Sequence, residues 1–324
     1  MKTNFIYVVI FAFTLLGCEK DQSTGDHADT DKIIYGKIRF TTKIDGDDRE
    51  YIVHIPKSYN GNQVVPIVFM LHGTSGDGEK FYEISGWKEV GESQNLITVF
   101  PSSWRYCIHS QGETSTTTKW NTAPDAEWTF CNGQTPRNDI KFLRTIIDEL
   151  SSKYRIDSKR IYLAGFSNGG QMAAKSTIEL SDKLAAVVQS AGTFYLDTVY
   201  TPKRKLAVLY QVGNEDYGPD NTGPAIPMNQ FPYLISTPGV VFKDGRFNTI
   251  AMDHVRNFAL NPNFTISGDT TKFSIATYKP ILATDKHEFH FVLIKGLKHV
   301  YPNGDNHPLE SAELNWNWMK QFSQ

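Results

Sequence analysis

Apolar and polar residues alternate in two early segments, 35–44 and 49–55, on either side of the turn sequence Asp45-Gly46-Asp47-Asp48. Alternation with a period of two predicts strands with one buried face, and the short polar turn predicts antiparallel pairing. From residue 64 onward the pattern changes to short continuous apolar runs, which predict strands covered on both faces. These runs are residues 64–71, 96–100, 160–164, 184–189 and 206–212.

Helical stretches separate the apolar runs. The clearest is 139–154, where apolar side chains recur at the three- and four-residue spacing of an amphipathic helix. Strands that alternate with helices predict crossover connections. The chain is therefore expected to be an α/β protein, with a mostly parallel central sheet and helices on both faces.

Two long segments, 102–137 and 217–248, lack either pattern and are rich in Pro, Gly, Asn and Thr. Segments of this length and composition predict loops or lids around a site. The first one is unusually aromatic. Its rings form either a stacking surface for a substrate or a small satellite core beneath the loop; they are Trp104, Tyr106, Trp120, Trp128 and Phe130.

The amino terminus predicts export. Met1-Lys2 and the apolar stretch 5–16 have the pattern of a secretory signal peptide, because the stretch is too short to span a bilayer. Leu15-Leu16-Gly17-Cys18 resembles the lipobox of bacterial lipoproteins, in which the chain is cut before a cysteine that is then acylated. An ordinary signal peptide followed by an unrelated cysteine is the alternative.

The segment after Cys18 is polar and too poor in apolar residues to form a core, so it predicts a flexible tether. We therefore expect a signal peptide at 1–17, a lipidated Cys18 with a tether at 18–34, and one folded domain at 35–324. The acyl chains would hold that domain at a membrane, in the periplasm or on the cell surface.

Charge and cysteine content exclude several classes of function. The net charge is −2, without a basic stripe, so nucleic-acid binding is not expected. Cys107 and Cys131 are expected to form a disulfide, because exported chains seldom keep free thiols; two separate buried thiols are the alternative. Closely spaced His, Cys or Glu ligands are lacking, so a zinc site is not expected. No metal or organic cofactor is implied.

The strongest chemical signal is Gly165-Phe166-Ser167-Asn168-Gly169, which follows an apolar strand and leads into a predicted helix at 171–180. A strand that passes through Gly-x-Ser-x-Gly directly into a helix is typical of the nucleophile elbow of α/β-hydrolases. The bend lifts the serine hydroxyl out of the sheet, where it can attack a carbonyl carbon. Ser167 is therefore the candidate nucleophile.

A serine nucleophile needs a base and a carboxylate that orients the base. In α/β-hydrolases both follow the serine, the acid first and then the histidine. Asp216, after the run 206–212, is the candidate acid, with Glu215 in reserve. His299, after a predicted strand at 287–295, is the candidate base, and His307 is its rival.

When the serine attacks a carbonyl carbon, the carbonyl oxygen becomes negatively charged, and backbone N–H groups are needed to stabilise this oxyanion. One is expected from Thr74, in the turn that follows Leu71-His72-Gly73, and the other from Asn168, directly after the nucleophile. A simple strand-to-loop turn is the alternative interpretation of residues 72–76. His72 is expected to be a hydrogen-bonded scaffold residue.

Together these residues resemble the poly(3-hydroxybutyrate) depolymerase and feruloyl esterase type of α/β-hydrolase. The resemblance extends from about Tyr51 to the carboxyl end. It rests on five motifs, which are Leu71-His72-Gly73, Trp120-Asn121, Tyr154-Arg155-Ile156-Asp157, the elbow at 165–170, and Gly296-x-x-His299-x-Tyr301-Pro302.

The resemblance implies an α/β-hydrolase fold with a Ser167–His299–Asp216 triad, and it makes Trp120 and Tyr301 the candidate substrate-binding side chains. The implied activity is hydrolysis of carboxylic esters through an acyl-enzyme. Feruloyl or acetyl esters of polysaccharides, hydroxyalkanoate oligomers and short acyl esters are the expected substrates. A serine peptidase on the same fold and a non-catalytic glycan-binding lipoprotein are the alternatives.

Overall fold

The computed structural model describes residue 1 and residues 33–110, 112–122, 129–194, 200–219, 221–239 and 247–324. Apart from Met1, the predicted signal peptide lies outside the described residues, as do Cys18 and most of the predicted tether. The chain divides into two units, Met1–Ile33 and Ile34–Gln324, and the second contains every element named below. Within the described ranges, no helix is both long enough and apolar enough to cross a membrane.

Twelve strands are described. They are β1 (Gly36–Ile44), β2 (Asp47–Ile55), β3 (Val65–Leu71), β4 (Ile97–Pro101), β5 (Trp104–Ser110), β6 (Glu113–Lys119), β7 (Ile156–Phe166), β8 (Ala186–Ser190), β9 (Ala207–Gly213), β10 (Leu260–Ser267), β11 (Phe273–Pro280) and β12 (Phe289–Ile294).

Ten of these strands form one sheet in the order β1-β2-β4-β3-β7-β8-β9-β12-β11-β10. The six strands from β4 to β12 in that order pair in parallel, and the two strands at each end pair in antiparallel fashion. Every residue of β3, β4, β8 and β9 is buried, because helices cover both faces. The predicted α/β class and mostly parallel sheet are confirmed.

Seven α-helices are described, and a 3₁₀ turn (Met228–Gln230) precedes the fifth. They are α1 (Gly78–Ile84), α2 (Trp87–Gln94), α3 (Asp139–Lys153), α4 (Asn168–Glu179), α5 (Phe231–Ser236), α6 (Phe247–Phe258) and α7 (Ser311–Met319). Helix α3 begins where the Asn138 side chain accepts from the Lys141 N–H, at 2.9 Å. Its buried face carries the apolar positions that the periodicity predicted.

The predicted loop 102–137 contains a separate two-stranded sheet of β5 and β6. Cys107 on β5 forms a disulfide with Cys131, and the Cys131 N–H donates to the Cys107 carbonyl at 3.0 Å. Tyr106 and Phe130 pack with ring centroids 4.5 Å apart and ring planes tilted by 52°, and with Ile108 they form a small apolar cluster of their own. These two rings therefore belong to a satellite core. Trp128 lies outside the described residues.

Candidate active site

Ser167 lies at the sharp bend between β7 and α4. Its backbone has φ 54° and ψ −120°, a left-handed φ that residues other than glycine rarely adopt. Two hydrogen bonds fix the bend: the Ser167 N–H donates to the Ser190 carbonyl at 2.8 Å, and the Gln171 N–H donates to the Ser167 carbonyl at 3.0 Å. Such a conformation costs about 1–3 kcal/mol. Its effect is to hold the side chain beyond the end of the strand.

The two glycines around Ser167 are required by close backbone contacts. A Cβ on Gly165 would lie 2.1 Å from the Gly169 carbonyl oxygen. One on Gly169 would lie 2.4 Å from the carbonyl oxygens of both Leu71 and His72. A side chain on Gly165 would therefore force the elbow itself to open, and one on Gly169 would push the elbow away from β3 and the turn that follows it.

His299 connects Ser167 to Asp216. The His299 Nε2 atom lies 2.9 Å from the Ser167 Oγ atom. On the other side of the ring, Nδ1 lies 2.9 Å from Oδ1 of Asp216. With Nδ1 protonated, the ring donates to the carboxylate and presents an unprotonated Nε2 to the serine hydroxyl. The structure thus brings together the three residues that the sequence singled out, which span 132 positions between serine and histidine.

The two reserve residues, Glu215 and His307, make other contacts. Glu215 precedes Asp216 in the same turn, and its backbone N–H donates to the Leu297 carbonyl at 3.1 Å. His307 hydrogen-bonds the Lys295 carbonyl through Nε2 at 2.9 Å. Neither side chain forms a described hydrogen bond with Ser167 or His299.

Asn214 holds the acid loop against the histidine loop. Its Oδ1 atom accepts from the Gly296 N–H at 2.6 Å, and its Nδ2 group donates to the Ile226 carbonyl at 2.9 Å. The Asp216 carboxylate also accepts from the Gly218 N–H at 2.9 Å. These bonds fix the two loops relative to each other, so the carboxylate stays aligned with the imidazole. The sequence analysis gave no role to Asn214.

The side chain of Asn168 lies behind the elbow. It is buried, with Oδ1 accepting from the Trp120 N–H at 2.7 Å and Nδ2 donating to the Thr122 hydroxyl at 3.2 Å. Asn168 is also the first residue of α4, where backbone N–H groups have no intrahelical acceptor. Thr74 lines the cavity above Ser167. An ideal Cβ on Gly73 would lie 3.2 Å from the Ser167 Cβ, so the 73–74 turn runs directly beside the nucleophile.

A buried ion pair anchors the segment that holds Asn168. The Arg49 guanidinium on β2 and the Asp139 carboxylate at the start of α3 are 2.8 Å apart, with side-chain exposures of 1% and 0%. The second Asp139 oxygen accepts from the Asn121 N–H at 2.7 Å. This pair therefore fixes Trp120-Asn121, which in turn holds Asn168. The ion pair was not predicted from the sequence, because Arg49 stands in a strand whose polar and apolar residues alternate, as in a strand with one exposed face.

His72 is a scaffold residue. It is fully buried; Nδ1 donates to the Gly73 carbonyl at 2.7 Å, and Nε2 accepts from the Ser103 N–H at 3.0 Å. Burial lowers the pKa of His72 to about 4, so the ring is neutral near pH 7. The ring therefore braces the turn that carries Thr74.

The positions of Trp120 and Tyr301 do not fit the predicted substrate-binding role. Trp120 is 0% exposed and donates from Nε1 to the His72 carbonyl at 2.8 Å. Tyr301 is 3% exposed, and its hydroxyl accepts from Trp87 Nε1 at 3.0 Å. Both rings are enclosed by protein and hydrogen-bonded internally, so we correct their assignment from substrate contacts to supports of the site.

A cavity of about 570 Å³ opens over Ser167 and His299. It lies between the elbow, the Gly73–Ser75 turn and the β5–β6 hairpin. Its lining is largely polar, with Phe166, Ile108 and Pro219 as the apolar contributors. Within the described part of the chain, no group of three or more His, Cys, Asp or Glu residues is placed to hold a metal ion.

Comparison with known proteins gives a consistent picture. The family described as Phospholipase/Carboxylesterase matches residues 60–216, which include Ser167 and Asp216. Feruloyl esterase B of Piromyces equi is 28% identical over 172 residues, covering 52% of this chain and 29% of the relative. Poly(3-hydroxyalkanoate) depolymerase C of Paucimonas lemoignei is 26% identical over 142 residues, covering 44% of this chain and 31% of the relative.

The chain therefore spans about a third of the length of these two curated relatives. Among solved structures, the acetyl xylan esterase from Aspergillus awamori superimposes with a TM-score of 0.56 at 15% identity, covering 87% of this chain and 99% of that one. At that identity the superposition establishes a shared fold.

Proposed function

We propose that this chain, whose residues 60–216 match the Phospholipase/Carboxylesterase family, is a serine-dependent carboxylic-ester hydrolase of the α/β-hydrolase type. The observation that carries the proposal is the Asp216–His299–Ser167 hydrogen-bond relay, with both contacts at 2.9 Å. The relay ends at a hydroxyl on a strained elbow, beneath an open cavity.

In the proposed mechanism, His299 Nε2 takes the proton from the Ser167 hydroxyl as the oxygen attacks the ester carbonyl. Asp216 holds the ring in the required tautomer and stabilises the imidazolium that forms. The N–H groups of Thr74 and Asn168 donate to the developing oxyanion; loss of one such donor typically slows the reaction on the order of 10²- to 10³-fold. The imidazolium then protonates the leaving alcohol, and water releases the acid from Ser167.

The proposed substrates are feruloyl or acetyl esters of polysaccharides, with hydroxyalkanoate oligomers and short acyl esters as the other members of the class. The names of the relatives support this range, since one is a feruloyl esterase and one a poly(3-hydroxyalkanoate) depolymerase. The cavity supports it as well, because hydroxyl-bearing side chains suit the hydroxyl groups of a carbohydrate better than a long alkyl chain.

A substrate panel tests the proposal: methyl ferulate, acetylated xylan, hydroxybutyrate trimer and 4-nitrophenyl acetate, each with wild type and with Ser167→Ala. We expect hydrolysis of at least one ester by wild type and a loss of about 10³-fold or more in Ser167→Ala. Ser176→Ala is the matched control, because this serine lies on α4 with its hydroxyl bonded to the Met172 carbonyl at 2.8 Å.

Two outcomes would refute the proposal and indicate a different function. Faster cleavage of aminoacyl 4-nitroanilides than of 4-nitrophenyl acetate would indicate a serine peptidase. Binding of xylan without hydrolysis of any ester would indicate a glycan-binding protein.

We further propose that the chain is exported and anchored by acyl chains on Cys18, on the strength of the apolar stretch 5–16 and the Leu15-Leu16-Gly17-Cys18 sequence. Radiolabelled palmitate supplied to expressing bacteria should label the wild-type protein and not Cys18→Ser. Equal labelling of the two would refute the anchor.

A further inference from the structure

Lys119 lines the cavity that also contains Ser167 and His299. It is the last residue of β6, pairs across the hairpin with Trp104, and is half-buried. Its side-chain ammonium forms no ion pair or hydrogen bond with any of the described residues. Asp125 and Glu127, in the same segment, lie outside the described residues.

The described residues that line the cavity carry positive charge but no negative charge. None of the described residues that line it is an aspartate or a glutamate. Lys119 contributes an ammonium group, and the lining also includes the imidazoles of His109 and His299. The amino end of α4, a helix of 12 residues, also points its partial positive charge towards Ser167. A negatively charged group in this cavity would be attracted from several directions.

Burial lowers the pKa of the Lys119 ammonium, because partial loss of hydration disfavours its charged form. A half-buried ammonium regains stabilisation when an anion pairs with it. One lysine supplies a single point charge, which balances the single negative charge of a carboxylate. The hydroxyls that share the lining, those of Ser75, Ser115, Thr117 and Thr129, would contact the polar remainder of the same molecule.

We propose that Lys119 is a specificity determinant that binds a carboxylate on the substrate, so that the preferred ester also carries a negative charge, as a uronic-acid sugar or a dicarboxylic half-ester does. This inference rests on the esterase function proposed above. The carboxylate stands apart from the scissile ester and binds while Ser167 attacks the ester carbonyl. No additional chemical step is involved.

Matched pairs of esters test the proposal from both sides of the scissile bond. On the acyl side, mono-4-nitrophenyl adipate is compared with its neutral carboxamide analogue. On the alcohol side, acetylated methyl glucuronoside is compared with acetylated methyl glucoside. In wild type we expect the charged member of at least one pair to have a kcat/KM about 10- to 100-fold higher, the range of one charge-assisted hydrogen bond. The favoured pair shows which side carries the carboxylate.

Three variants separate the charge of Lys119 from general damage. In Lys119→Gln the ratio of charged to neutral kcat/KM should fall about 10- to 100-fold, and in Lys119→Arg it should stay near the wild-type ratio. Lys320→Gln is the control, because Lys320 is exposed at the end of α7 and away from the cavity. It should leave both rates unchanged.

Should Lys119→Gln not fold, the wild-type salt response is the second measurement. The rate for the charged ester should fall as sodium chloride rises to about 1 M, while that for the neutral ester stays constant. Equal rates within both pairs, or a ratio that Lys119→Gln leaves intact, would overturn the proposal. Failure of the proposed esterase function would give a different result. In that case Ser167→Ala would hydrolyse charged and neutral esters as fast as wild type.

Discussion

Removal of the Asp139 carboxylate should destabilise the protein far more than an ordinary surface change. Asp139→Ala leaves Arg49, with a side-chain exposure of 1%, buried without its counter-ion. The remaining described bond of the guanidinium is to the Ser102 carbonyl at 3.2 Å. The Asn121 N–H also loses the acceptor that lies at 2.7 Å.

Breaking one partner of a buried ion pair typically costs about 3–5 kcal/mol, so we expect a loss of about 4 kcal/mol in the free energy of unfolding. With a urea dependence near 3 kcal/mol per molar, the unfolding midpoint should fall by about 1.3 M. Circular dichroism during urea titration at pH 7 measures this shift.

The double variant Arg49→Met/Asp139→Leu is the decisive comparison. It removes both charges and fills the space with apolar atoms, although the Asn121 N–H still lacks its acceptor, so it should recover much of the loss and lie within about 1–3 kcal/mol of wild type. The reasoning would be refuted if Asp139→Ala lost less than about 1 kcal/mol, or if the double variant were as unstable as the single one.

Three further changes have clear expected outcomes. Gly169→Ala would place a Cβ 2.4 Å from the Leu71 and His72 carbonyl oxygens, so it should lower the melting temperature and abolish ester hydrolysis, whereas no change in either would contradict the close packing of the elbow. Cys107→Ser/Cys131→Ser opens a loop with a sequence separation of 24 and should cost about 3 kcal/mol in urea unfolding; a variant as stable as wild type would show that the bridge does not contribute. His72 stays neutral in the folded state because burial lowers its pKa to about 4. In the unfolded chain the same side chain gains a proton below about pH 6.5. Its contribution to the free energy of unfolding is therefore complete above pH 6.5 and is lost between pH 6.5 and 4. His72→Gln should flatten the wild-type loss of stability in that window by about 3 kcal/mol, and parallel pH profiles for the two proteins would disprove it.

The central strands were predictable because full burial imposes a simple rule on sequence. A strand such as β3 or β9, covered on both faces, can carry almost only apolar residues, so its position shows directly as an apolar run. The antiparallel pair β10 and β11 was not predicted. Most of β10 is exposed, and its sequence Leu260-Asn261-Pro262-Asn263 has the composition of a turn. Pairing with β11 overrides that local preference.

The residues of the relay could be found from sequence because each follows a strand end in a fixed order along the chain. Residues that support the site without belonging to the relay could not be found in this way. Arg49 and Asp139 are 90 positions apart, and only the folded chain makes them a pair. Trp120 and Tyr301 were singled out by motif and aromatic character, but their burial depends on neighbours that are distant in sequence.

The most direct test of the account is to locate the nucleophile chemically. A fluorophosphonate is incubated with wild type, Ser167→Ala, His299→Ala and Asp216→Asn, and the site and rate of labelling are measured by mass spectrometry. We expect a single phosphonyl adduct on Ser167 of wild type, none on Ser167→Ala, and labelling at least about 10³-fold slower in His299→Ala. An adduct on another residue, or labelling of His299→Ala at the wild-type rate, would contradict the claim that this histidine activates this serine.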